Sequence, residues 1–173
     1  KKEEVLKLVR RGVARHPDDP RSAVLYAARG YIYLRQEQYA EAQTAFNEAL
    51  ALDSSAAETW NNLGNAHLGL GDRAQARWAL ERAIAANPGL ADVHYNLGGL
   101  HLQDGRLDLA RQAYLDALAV DSTFVRTYYA LAAVHSKLGE IADARRAYQV
   151  FIDRWRGDPA FVDEARQHLA NLP

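Results

Sequence analysis

Apolar positions along this chain follow a helical rhythm that restarts at a fixed interval. In 57–90, bulky residues stand at Trp60, Leu63 and His67, the i, i+3, i+7 spacing of one helix face. After Gly71 a second stripe runs through Ala76, Leu80 and Ala83, so the pattern predicts a helical hairpin. A shift of 34 residues sets Trp60 on His94, Leu63 on Leu97, Gly64 on Gly98 and His67 on His101. The same shift sets Gly71 on Gly105, Ala76 on Ala110, Leu80 on Tyr114 and Ala83 on Ala117. A further step reaches Tyr128, Leu131, Ala132, His135, Gly139, Ala144, Tyr148 and Phe151, and a step back reaches Tyr26, Gly30, Tyr33, Ala42, Phe46 and Ala49. Four units in unbroken register follow: 23–56, 57–90, 91–124 and 125–158. A period of this length is the signature of stacked repeats.

The punctuation agrees with the hairpins. Gly71, Gly105 and Gly139 stand where the first helix must end, a place glycine fills in the left-handed conformation at little cost. Pro88 cannot continue the second helix. Ser55 followed by Glu58 predicts a capping box at the start of the helix from 57. With Ala57 as position 1 of the unit, small residues recur at position 8 (Gly30, Gly64, Gly98, Ala132) and position 20 (Ala42, Ala76, Ala110, Ala144). They let the paired helices approach closely.

This pattern resembles the tetratricopeptide repeat family, whose 34-residue unit has an aromatic at position 4, Leu-Gly at 7 and 8 and Tyr at 11. Ala at 20, an aromatic at 24, Ala at 27 and Pro at 32 complete it. Trp60, Leu63, Gly64, Ala76, Ala83 and Pro88 match, while His67 and Leu80 depart. The first unit departs more, with Arg29 at position 7 and Ser54 at position 32. The resemblance implies an all-α fold: a right-handed α-solenoid of four helix-turn-helix repeats with an extra helix at each end.

The ends differ from the units. Residues 1–22 carry Val5, Leu8, Val9 and Val13 on one stripe of a helix over roughly 2–15. Val5, Val9 and Gly12 fit positions 20, 24 and 27, so the segment reads either as a cap or as half of a repeat from a longer array. Leu6 would then lie off the packed face. At the other end, the helix from 140 is expected to continue through Trp155 to Gly157. Asp158-Pro159 reads as an N-cap followed by proline at the first helical position. Residues 159–173 hold a last helix with Val162, Ala165, Leu169 and Leu172 on one side, a capping helix for the stack.

Composition narrows the function more than it defines it. With 173 residues, a formal net charge of −1 and a charged fraction of 25%, the chain shows no bulk attraction to nucleic acid or anionic membrane. It has no cysteine, which removes disulfides, thiol catalysis and Cys-ligated zinc. It also lacks methionine, even at residue 1, and so reads as a piece or a processed product of a longer protein. No signal peptide opens it, and no apolar run is long enough to span a bilayer.

Candidate functional residues follow from helix geometry. Positions 4, 7, 8 and 11 of each first helix point one way, and positions 2, 6, 9 and 13 point about 180° from it. The family resemblance makes this second stripe the wall of a concave groove. It comprises Val24, Ala28, Tyr31 and Arg35; Glu58, Asn62, Asn65 and Gly69; Asp92, Asn96, Gly99 and Gln103; and Arg126, Ala130, Ala133 and Lys137. Position 5 on its flank adds Asn61, Tyr95 and Tyr129. Asn can pair with both N–H and C=O of an extended peptide. Asn62 and Asn96, one unit apart, resemble the asparagine ladders of some family members. The candidate peptide-binding set is Tyr31, Arg35, Asn61, Asn62, Asn65, Tyr95, Asn96, Gly99, Arg126 and Tyr129.

Sharper chemistry does not fit. Asn65, Asn96 and Arg126 match three of five positions in the family's carboxylate clamp, but Asn61 and Ala130 replace two of its cations, so a full chaperone clamp is rejected. His67, His101 and His135 recur one helix-packing distance apart, about 8–10 Å, whereas zinc needs nitrogens within about 2.1 Å. They read as packing residues. No phosphate loop, HExxH or nucleophile elbow is present, so no catalysis, cofactor or metal is expected. Glu58 and Asp92 disfavour an RNA-reading groove, which would want cations. The function expected is a non-catalytic protein–protein interaction scaffold, binding a partner's peptide segment in the groove. The alternative is a homo-oligomer built through the N-terminal end.

Overall fold

The protein is seen here as a computed structural model that describes residues 7, 9, 11, 12 and 19–173. The described residues are helical with no strand among them, and the chain divides into two compact units between Pro88 and Gly89. In the first unit a 3-10 turn, Pro20–Ser22, leads into α1 (Ala23–Leu34), α2 (Tyr39–Leu52), α3 (Ala57–Gly69) and α4 (Arg73–Ala86). The second unit holds α5 (Ala91–Gln103), α6 (Leu107–Val120), α7 (Arg126–Leu138), α8 (Ile141–Arg154) and α9 (Pro159–Ala170). Within the first unit α1 pairs with α2 and α3 with α4, while α2 packs on α3 and α1 touches α3. Within the second, α5 pairs with α6 and α7 with α8, α6 packs on α7, α5 touches α7, and α9 packs on α8.

The hairpins close through the small residues. Ala42, Ala76, Ala110 and Ala144 are all fully buried. A Cβ on Gly30 would lie 2.6 Å from the Phe46 ring, and one on Gly98 would lie 2.7 Å from the Tyr114 ring. Position 8 thus makes room for the bulky residue at position 24. The turn glycines Gly71, Gly105 and Gly139 have φ of 80°, 71° and 76°, the left-handed conformation their spacing predicts. In the first hairpin Glu37 holds the same place at φ 60° without glycine's freedom.

Several local details differ from the sequence expectations. The capping box does not form: Ala56 is the N-cap of α3 and makes no side-chain cap bond. Instead the Ser55 backbone N–H and hydroxyl donate to Asp53 Oδ1 at 2.9 and 2.6 Å. Thr123 and Asp121 repeat this turn at 2.8 and 2.6 Å. The aspartate two residues earlier outcompetes the helix start for the hydroxyl. The aromatic at position 4 then secures the same turn. Trp60 Nε1 donates to the Ser54 carbonyl at 2.9 Å, and the Tyr128 hydroxyl donates to the Ser122 carbonyl at 3.3 Å.

Helix α8 stops at Arg154 rather than reaching Gly157. Trp155 turns extended at φ −65°, ψ 132°, and its indole N–H donates to the Asp158 carbonyl at 2.9 Å. Gly157 accommodates the folded-back ring, since a Cβ there would lie 2.5 Å from it. The predicted start of α9 is observed, with the Asp158 carboxylate accepting the Ala160 N–H at 2.9 Å. Ala165 and Leu172 of this segment are buried with Tyr148 and Phe151.

The odd Arg29 at position 7 pairs with Glu48 of α2 and lies over the Tyr26 ring, 5.0 Å from its centroid. Of the N-terminal segment, Val9 is buried in a cluster with Tyr26 and Ala49. The expectations for Val5, Leu6, Leu8 and Val13 fall outside the described residues. His67 and His101 are buried, as expected of packing residues, and His135 pairs through Nδ1 with Glu140. No cluster able to hold a metal occurs among the described residues. No helix among them is long and apolar enough to cross a membrane.

Candidate functional site: an aromatic cavity

Each first helix packs one stripe and leaves the opposite one open. In the first unit Val24, Ala28, Tyr31 and Arg35 of α1 are exposed, Tyr31 at 49%. On α3, Glu58 is exposed, and Asn62 and Asn65 are half-buried. Neither asparagine makes a side-chain hydrogen bond among the described residues, so their amides keep their hydrogen-bonding capacity for solvent or a ligand. Gly69, next on that stripe, lets the Tyr39 ring fold over it, where a Cβ would meet the ring at 2.4 Å. Asn61 is a correction. Its position in the sequence places it on the flank of the open stripe, but it is only 5% exposed. Position 5 of α3 therefore faces packing.

The second unit uses position 5 differently. Tyr95 of α5 and Tyr129 of α7 are half-buried, and both line a cavity of about 320 Å³. Arg126, Phe151, Trp155 and Phe161 complete its lining. The rings brace one another: Tyr129 and Phe151 meet at a tilt with centroids 5.2 Å apart, and Trp155 and Phe161 meet edge to face at 5.8 Å. Phe151 and Trp155 stack at 5.1 Å. Edge contacts and offset stacks of this kind suit the ring quadrupoles and fix the walls.

The polar tips on these walls are largely committed. The Tyr129 hydroxyl donates to Glu164 Oε1 of α9 at 2.7 Å, and Trp155 donates to Asp158 as above. Burial, and then the bond to Glu164, push the Tyr129 phenol well above its ordinary pKa, so it stays a neutral donor. Arg126 is exposed on the first turn of α7. Its guanidinium lies over the Phe124 and Tyr95 rings, 5.0 and 5.9 Å from their centroids. Among the described residues it forms no ion pair. Asn96 and Gly99 are half-buried on α5.

The candidate residues thus separate into groups. Tyr31, Arg35, Asn62 and Asn65 lie on the open stripes of the first unit. Tyr95, Arg126 and Tyr129 converge on the cavity, and Asn96 and Gly99 lie on the same helix as Tyr95. Sequence reasoning missed Phe151, Trp155 and Phe161. The available signal was the aromatic crowding over 148–161 (Tyr148, Phe151, Trp155, Phe161), beyond what a repeat unit requires.

Paired helices of this period, closed by small residues and leaving one stripe open, define a helical-repeat scaffold. The chain belongs to the tetratricopeptide repeat family. The family's models match residues 61–123 and 125–149 as "Tetratricopeptide repeat" and residues 30–71 as "TPR repeat". Among solved structures, PilF of Pseudomonas aeruginosa is similar at a TM-score of 0.82 and 22% identity, covering 99% of this chain and 81% of that one. MamA is similar at 0.77 and 23%, covering 84% of each chain. YrrB, a TPR protein with an unusual peptide-binding site, is similar at 0.74 and 17%, covering 94% and 84%. At these identities the likeness establishes the fold. No match was found among curated protein sequences. Proteins of this repeat family serve as protein-interaction scaffolds and are typically non-catalytic, and that is the coarse function of this chain.

Proposed function

We propose that the chain binds protein partners through the open stripes of its first helices, and that in the second unit the aromatic cavity anchors a partner segment. The observation that carries this reading is the cavity itself. Five aromatic side chains and Arg126 form a concave wall, at the lower end of the roughly 300–1,000 Å³ typical of ligand sites. Aromatic residues and arginine are also the types that dominate binding hot spots. In the first unit Asn62 and Asn65 offer paired donors and acceptors to a peptide backbone. The peptide-binding site of YrrB is a precedent on the same fold for this kind of use.

The test is selection of binders from a displayed random-peptide library, followed by calorimetry of the selected peptides on variants. Phe161→Ala and Arg126→Gln should weaken binding. Asn62→Ala and Asn65→Ala should each cost about 0.5–1.5 kcal/mol per lost neutral hydrogen bond. Selected peptides whose affinity none of these changes alters would remove the proposal, as would a selection that yields no binder.

A further inference from the structure

We infer that the cavity of the second unit recognises an apolar side chain, aromatic or branched aliphatic, followed directly by an acidic residue in an internal segment of the partner. The inference rests on the peptide-binding reading above and specifies its ligand.

The apolar half follows from what the walls leave unsatisfied. A volume of about 320 Å³ corresponds to about ten water molecules at roughly 30 Å³ each. Such waters need polar partners, and few remain. The Tyr129 hydroxyl is held by Glu164 and the Trp155 indole by Asp158. Phe151 and Phe161 offer none, which leaves the Tyr95 hydroxyl and Arg126, so ring faces and edges make up most of the surface. Water there is displaced at a gain by an apolar side chain. Phe161 is 49% exposed, so part of this wall is open to an incoming residue.

The acidic half follows from Arg126. It is the one charged side chain lining the cavity, and it makes no ion pair with another described residue. Its place over the Phe124 and Tyr95 rings holds the guanidinium by cation–π attraction, and the N–H donors not turned to the rings remain for a carboxylate. An aromatic cage without such a charge could instead hold a lysine or methyl-lysine. Here the fixed positive charge opposes a cation. Because Arg126 is exposed, its donors open toward solvent at the mouth. They match a carboxylate on the neighbouring residue better than one buried with the anchor. The Glu164 carboxylate forms no ion pair with Arg126; it accepts from Tyr129 and lies 3.6 Å from His168 Nε2.

Trp155 provides the readout. The chain's other tryptophans, Trp60 and Trp78, belong to the first unit, so their indole N–H signals serve as internal controls. The probes are end-blocked peptides acetyl-Gly-Phe-Glu-Gly-amide, its Phe-Gln and Ala-Glu counterparts, and a trimethyl-lysine-Glu counterpart. Acetyl-Gly-Gly-Phe with a free carboxylate is the chain-end probe. Titration followed by nitrogen-15 NMR should move the Trp155 indole signal with the Phe-Glu peptide. Its affinity should exceed that of Phe-Gln by about three- to tenfold, the range for a mostly exposed but bidentate ion pair. Ala-Glu and trimethyl-lysine should bind more weakly still.

Arg126→Gln should abolish the difference between Phe-Glu and Phe-Gln while leaving the Trp60 and Trp78 signals in place. Equal affinity for Phe-Glu and Phe-Gln would overturn the inference. So would tighter binding of the chain-end or trimethyl-lysine probe, or no Trp155 shift at millimolar peptide. If library peptides still bind in those cases, and Phe161→Ala or Asn62→Ala weakens them, only the ligand assignment fails. If they do not bind, the peptide-binding reading fails with it.

Discussion

Two adjacent glycines in one helix separate intrinsic helix preference from hairpin closure. Gly98 and Gly99 both sit in α5, and replacing glycine by alanine inside a helix ordinarily gains about 0.8–1.0 kcal/mol. At Gly99 that gain should be realised, since a Cβ there finds its nearest neighbour, Tyr114 Oη, at 3.7 Å. At Gly98 the same Cβ would lie 2.7 Å from two Tyr114 ring carbons. Tyr114 is 2% exposed and cannot swing into solvent, so α5 and α6 must separate. Overpacking of this kind costs about 1–3 kcal/mol. Because the propensity gain is common to both variants, the difference between Gly99→Ala and Gly98→Ala should equal that cost. For a chain of this size it corresponds to melting temperatures about 2–12 °C apart. Thermal unfolding by circular dichroism at matched concentration measures it. Variants that melt together, or a more stable Gly98→Ala, would refute the close approach as the reason for glycine.

Ala76→Leu and Ala110→Leu, each at a fully buried site, should each cost about 1–3 kcal/mol in urea unfolding. Glu37→Gly should stabilise by up to about 1 kcal/mol, because it relieves a left-handed non-glycine residue while losing backbone entropy; a lower urea midpoint would contradict this. Asn61→Ala should destabilise by about 1–3 kcal/mol as a buried polar truncation, whereas Asn62→Ala should stay within about 0.5 kcal/mol, and thermal melts compare them directly. Burial holds the His67 imidazole below its ordinary pKa, with Asp72 offsetting part of the shift, so the unfolded chain takes up the proton first. Its contribution is therefore full above about pH 6.5 and declines as pH falls toward the folded value. Urea midpoints at pH 7 and pH 5 should accordingly differ less in His67→Gln.

The hairpins were legible because each is specified several times over. The stripe of Leu63 and Leu131, the small residues facing Phe46, Tyr114 and Tyr148, and the turn glycines all repeat at one period, so an error in one leaves the others intact. The capping box was misread because the Ser55 hydroxyl can either accept from a helix N–H or donate to the Asp53 carboxylate, and only the folded turn shows that Asp53 holds it. The stop of α8 was misread for a similar reason. Its outcome depends on where the Trp155 indole finds a carbonyl, a contact that periodicity does not encode. The burial of Asn61 beside the half-buried Asn62 lies at the edge of the stripe, where a rotation of a few tens of degrees decides the side.

The cavity was the least legible part because its walls come from elements that obey different rules. Tyr95 and Tyr129 occur at a repeat position, but Trp155 lies past the end of a helix and Phe161 lies in the appended α9. The last helix therefore has two physical roles. Through Ala165, and Leu172 just past its end, it covers the Tyr148 and Phe151 side chains. Through Phe161 and Glu164 it turns the covered end into one wall of a site, with Glu164 fixing Tyr129 from outside the cavity. Residues serving the first role are buried, and Phe161, serving the second, is exposed. The lining can thus change at 161 and 126 while Ala165 and Leu172 keep Tyr148 and Phe151 packed.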